Sequence, residues 1–150
     1  MGRRIYDKTA RGAFKERFDS KCRFRYYGSE KKGCKVVYKL IGRGTKRIST
    51  PYYLRKQPSR EELKEYDPHR VSWLIKYGYL PAKNGRKQLS HRCGRSFCVN
   101  TSHIVLETMP KNVSRIPCHE FLRKQSGSGY LTMEDFDRQC KHVPKCFWNK

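Results

Sequence analysis

The chain has 150 residues, 35 of them Lys or Arg and 13 Asp or Glu, which gives a formal net charge of +22. That length suits one domain, and an apolar share of only 36% predicts a thin core that needs cross-links. The charge excludes an ordinary small-molecule enzyme and asks for a polyanion; with no run near the ~20 apolar residues of a membrane span and no amphipathic helix gathering the basic residues, the expected partner is nucleic acid, not membrane.

At the N-terminus, Arg3 and Arg4 are followed by no apolar stretch, so no signal peptide is expected. The expected location is intracellular and not secreted, nuclear if the source is eukaryotic. Residues 1–33 read as a basic N-terminal arm. In it Lys21, Arg23, Phe24, Arg25, Tyr26 and Tyr27 surround Cys22, pairing phosphate-neutralising cations with rings that can stack on bases. The plainer reading is a solvated basic tail.

Residues 34–150 read as the folded domain. A strand is expected over 35–41, with Val36, Tyr38 and Leu40 on one face and Lys35 and Lys39 on the other. Gly42-Arg43-Gly44 is turn chemistry, and 45–53 is β-rich again, with Pro51 suggesting an edge. Together these predict a basic antiparallel β-hairpin of the kind that enters a DNA major groove. Its candidate DNA-binding residues are Lys35, Lys39, Arg43, Lys46, Arg47 and, just beyond, Arg55. Ser59-Arg60-Glu61-Glu62 is a capping box that opens a short helix. Asp67 and Pro68 open another, with Val71, Leu74 and Ile75 as its apolar stripe and Gly78 as its end. His69, in its first turn, reads as surface decoration. Residues 125–129 form a Gly/Ser linker, after which Thr132 caps a last helix, with Asp135 at its third position and Leu131 stapled to Phe136.

The seven cysteines are odd in number and interspersed with histidines, a pattern that favours metal over disulfides. Cys93, Cys98 and His103 are spaced C-x4-C-x4-H. Cys118, Cys140, His142 and Cys146 form a complete Cys3His set for tetrahedral zinc. The first set needs a fourth ligand, Cys34 or Cys22; Cys34 is preferred because it starts the strand leading into the hairpin. Two Zn²⁺ ions, each contributing on the order of 10 kcal/mol, would supply the cross-links that the core lacks. His91 is a rival ligand for the first site, and His119 a rival to His142 for the second.

The run Ser90-His91-x-Cys93-x4-Cys98-x-Asn100-x2-His103, followed by Asn112-x2-Arg115-x2-Cys118 and Cys140-x-His142-x3-Cys146, resembles the His-Cys box homing endonucleases, a zinc-bearing branch of the His-Me finger (ββα-metal) nucleases. The resemblance implies an α+β fold: a small zinc-stabilised ββα-metal unit with the basic hairpin and short helices. Strands over 87–92 and 103–108 would be followed by a short helix opening near Pro110. It further implies a Mg²⁺-dependent endonuclease acting on double-stranded DNA, which leaves a 5′-phosphate and a 3′-hydroxyl. His91 would be the general base and Asn112 the one protein ligand of a catalytic Mg²⁺, with two structural zinc sites. An arginine would hold the scissile phosphate, Arg47 being preferred over Arg43. The plain reading of Asn112 is a helix cap; Asn100 reads as a turn residue, and Arg115 as serving either structure or a phosphate. The chemistry agrees independently. Neutral imidazole accepts a proton near pH 7, and one Mg²⁺ held by few protein ligands suits a segment, 68–119, whose only acid is Glu107. Monomer and homodimer both remain open. The reading from a different class is a zinc-stabilised nucleic-acid-binding module without activity, which has no need of His91 and Asn112 together.

Overall fold

The computed structural model describes residues 6–28, 32–40, 67–82, 85–125 and 133–147. Helix α1 (Lys8–Lys21) starts at Asp7, whose carboxylate accepts the Ala10 N–H at 2.8 Å, a standard way to satisfy an orphan amide. Phe14 and Phe18, four residues apart, share one face of α1 and are both buried. Strand β1 (Cys22–Tyr27) follows directly and pairs antiparallel with β2 (Cys34–Leu40), from Tyr27 opposite Cys34 to Cys22 opposite Leu40. Most of the stretch expected to be a basic arm is thus helix and strand. The reason is its apolar content: Phe18 and Cys22 pack with Val37, Val71 and Val99 in one cluster.

The described partner of β2 is β1, which lies upstream of it. The proposed turn at 42–44, the strand at 45–53 and the capping box at 59–62 lie outside the described residues. The faces of β2 also differ from expectation. Val37 is buried and Tyr38 is about half exposed beneath the Arg25 guanidinium, 4.8 Å from its ring centre. A ladder irregularity between Arg23 and Phe24 accompanies this.

Helix α2 (Pro68–Tyr77) has Asp67 at its N-cap, Pro68 in its first turn and Gly78 in the left-handed region (φ 77°) at its end, as its sequence signals require. Its Trp73 packs with Leu89 and Ile104, which belong to the hairpin β3 (Lys87–His91) and β4 (Ile104–Thr108). Helix α3 (Met109–Gln125) follows β4 without a loop, completing a β-β-α unit. It is long rather than short and runs through Pro117. The amide missing at Pro117 frees the carbonyl four residues back, at Val113, whose side chain is exposed. Helix α4 (Met133–Gln139) starts immediately after Thr132, itself outside the described residues.

One buried ion pair joins these parts. Arg115 is 0% exposed and grips Glu107 of β4 with two bonds, Nε–Oε1 at 2.6 Å and Nη2–Oε2 at 2.9 Å. Its Nη1 donates to the Pro144 carbonyl at 2.9 Å and to Cys146 Sγ at 3.2 Å. Arg115 is thus structural. It ties α3 to β4 and to the C-terminal segment.

Candidate metal centres and catalytic cleft

Two clusters of ligand atoms converge. Cys34, at the start of β2, joins Cys93, Cys98 and His103; Cys118 of α3 joins Cys140, His142 and Cys146. Within each cluster all four ligand atoms lie within 4.8 Å of one another. Cys22 is elsewhere, in the apolar cluster around Phe18. A tetrahedral zinc with Zn–S near 2.3 Å and Zn–N near 2.05 Å gives a sulfur–nitrogen edge of about 3.6 Å. His103 Nδ1 stands 3.5 Å from both Cys34 Sγ and Cys98 Sγ. His142 Nδ1 stands 3.5, 3.5 and 3.6 Å from the sulfurs of Cys118, Cys140 and Cys146. The donor sets and spacings fit zinc.

The outer partners select the correct tautomer at both sites. His103 Nε2–H donates to the Lys32 carbonyl at 2.9 Å, which turns the Nδ1 lone pair inward. The Ser114 hydroxyl donates to the Lys111 carbonyl at 2.7 Å, so its oxygen accepts the Nε2–H of His142 at 2.8 Å. Asn100 caps the turn before His103 by accepting the Ser102 amide at 3.1 Å, and its Nδ2 donates to the Gly33 carbonyl at 2.8 Å. Without a cation the crowded thiols must share protons. Hydrogen bonds from Cys93 and Cys98 hold the Cys34 thiol far below its usual value, and hydrogen bonds with Cys34 and Cys98 push Cys93 far above it. Burial pushes Cys146 up to about 12, against a hydrogen bond from Arg115. A bound dication removes this conflict.

Beside the first cluster lies a cleft of about 340 Å³ lined by both His91 and Asn112, within the range of small-ligand pockets. His91 is the last residue of β3. Its Nε2–H donates to the Cys98 carbonyl at 2.9 Å, so Nδ1 carries the lone pair. Burial is the main reason its pKa falls below the usual histidine value, and the hydrogen bond to Cys98 opposes that fall. Asn112 sits in the first turn of α3 and donates Nδ2–H to Gln88 Oε1 at 3.2 Å. This fixes the amide and leaves Oδ1 as the hard oxygen available to a cation.

His69 corrects the sequence reading. It is not surface decoration: its ring meets that of His91 edge-on, with centroids 4.8 Å apart and planes at 65°. Burial, followed by the neighbouring His91, lowers its pKa to about 3. No local pattern marked it, because the contact joins α2 to the end of β3. His119, a rival zinc ligand by sequence, instead donates Nε2–H to the Arg92 carbonyl at 3.0 Å and lines the cleft. His91 likewise stands outside the first metal cluster. Of the expected DNA-binding residues, Lys35 lies with Nζ 4.0 Å over the Phe24 ring. The side chain of Lys39, together with Arg43, Lys46, Arg47 and Arg55, lies outside the described residues.

The β-β-α unit and its two zinc-compatible clusters define the class: a small zinc-stabilised α+β protein of the His-Me type. Residues 21–150 match the family described as the zinc-binding loop region of homing endonuclease, and the chain belongs to that family. Comparison with curated proteins yields no match, and comparison with solved structures yields none. Among the described residues, no helix is long and apolar enough to cross a membrane.

Proposed function

We propose that this protein is a Mg²⁺-dependent endonuclease that hydrolyses phosphodiester bonds of double-stranded DNA. The reading rests on His91 and Asn112 lining one cleft beside a zinc-compatible cluster. His91 Nδ1 takes a proton from the attacking water, and the Cys98 carbonyl stabilises the imidazolium through Nε2–H. The new P–O bond forms as the bond to the 3′ oxygen breaks, leaving a 5′-phosphate and, after protonation, a 3′-hydroxyl. Asn112 Oδ1 is the residue that would hold Mg²⁺, which supplies charge stabilisation for the phosphate and the departing oxygen. Arg47 is proposed to hold the scissile phosphate. Two structural zinc ions keep β3, the loop after it and α3 in register. The net charge of +22 drives DNA association, and the working location is intracellular, nuclear if the source is eukaryotic.

The test is incubation of supercoiled plasmid with zinc-loaded protein and Mg²⁺, beside His91→Ala and Arg47→Ala. The wild type should nick or linearise the plasmid, and His91→Ala should be slower by about 10²–10⁴-fold. If wild type and His91→Ala leave the plasmid equally intact across several pH values and metals, the remaining reading is a zinc-stabilised binding module.

A further inference from the structure

The cleft extends well past the His91–Asn112 pair. Asn112, Ile116, Glu120 and Arg123 follow one another at helical spacing along one face of α3, and all line it. The opposite wall is the loop between Cys93 and Cys98, which contributes Gly94 and Ser96. This second end is built to close tolerance. Gly94 has φ +68°, and a Cβ there would stand 2.8 Å from His119 Cγ, so loop and helix approach this closely only with glycine. The hydrogen bond from His119 to the Arg92 carbonyl pins the same contact.

Arg123 lies eleven residue steps beyond Asn112 on the helix, about 16 Å along the axis. A long helical side chain leans toward the N-terminus, which brings the guanidinium to roughly 10 Å from Asn112. One DNA strand rises ~3.4 Å per nucleotide, so that position corresponds to a phosphate one to three nucleotides from the scissile one. Arg123 and Ser96 are both exposed and both hydrogen-bond donors, the chemistry that a phosphate diester takes. Glu120, one turn earlier, is a carboxylate that opposes an anion.

We propose that this end of the cleft is a second phosphate subsite, where Arg123 and Ser96 hold a backbone phosphate flanking the one that is cut. The proposal rests on the nucleic-acid reading given above. Arg123 is a positioning residue: it holds the strand and does not touch the reacting atoms.

The test uses the full zinc-loaded chain carrying His91→Ala, so that binding of a fluorescent DNA duplex is measured without cleavage, over a salt series. Adding Arg123→Gln should weaken binding about tenfold and lower the slope of log K against log salt by about 0.9. Adding Glu120→Gln should tighten binding, and Arg123→Lys should restore most of the slope. Unchanged affinity and slope for Arg123→Gln, or a Glu120→Gln that binds more weakly, would overturn the subsite. In an otherwise wild-type chain, Arg123→Gln should slow plasmid cleavage more than it slows hydrolysis of bis(p-nitrophenyl) phosphate, a diester with no flanking phosphate. An equal loss on the two substrates contradicts the positioning role. If the wild type hydrolyses nothing, the nuclease reading fails, while the binding series still decides the subsite.

Discussion

Single side chains set the conditions for the proposed chemistry in the cleft. His91 is held at Nε2 by the Cys98 carbonyl, and the edge of His69 limits the tilt of its ring. Shortening His69 to Ala should cut kcat about tenfold, about 1.4 kcal/mol of barrier, with KM unchanged. His69→Phe, which keeps a ring edge, should restore most of it; steady-state cleavage kinetics check both. Glu107 is the other decisive single residue. Burial raises its carboxyl pKa, but the hydrogen bonds and charge of Arg115 outweigh burial and leave it below the usual value. Its contribution to stability is therefore present above the ordinary carboxylate range and is lost as pH falls through its lower folded value. Glu107→Gln leaves a buried guanidinium unpaired and should cost about 3–5 kcal/mol in urea unfolding, with a shallower acid limb than the wild type. An unfolding curve matching the wild type would contradict the tie drawn through Arg115.

At the level of elements, two glycines separate backbone demand from mere flexibility. Gly94 sits at φ +68° against His119, whereas Gly12, inside α1, has nothing within 4 Å of its Cβ position. Gly12→Ala should stabilise the chain by about 0.5–1 kcal/mol, while Gly94→Ala should destabilise it and disturb the cleft; thermal melts of the two variants read the difference. Local signals made several elements legible in advance. Asp67-Pro68 and Gly78 bound α2, the hairpin β3–β4 brackets the Cys-rich loop, and α3 opens near Pro110 as expected. What local signals missed was long-range. The pairing of β1 with β2 is invisible in a segment that reads as basic and aromatic. The length of α3 was obscured by Pro117, and the His69–His91 contact has no signature within either segment.

For the molecule as a whole, the cysteine spacing carried most of the information. It pointed to both Cys/His clusters, because a chain with a thin core and clustered Cys and His has few other ways to hold together. The choice of Cys34 over Cys22 followed from strand position, and the geometry agrees with it. The two clusters differ in access: all four residues of the first are buried, whereas Cys118 and His142 of the second are partly exposed. A chelator should therefore release two zinc ions per chain in two phases, the second site emptying first, as a colorimetric zinc indicator would follow. A single phase, or fewer than two ions, would contradict the assignment. In the proposed mechanism zinc holds a cleft in which His91 and Asn112 act together on DNA. The most direct test compares cleavage of supercoiled plasmid by the zinc-loaded wild type with that by Asn112→Ala of equal zinc content and melting temperature. Mg²⁺-dependent nicking is expected of the wild type and none of the variant in the same time. Equal cleavage by the two, or none by either at any Mg²⁺ concentration, would contradict it.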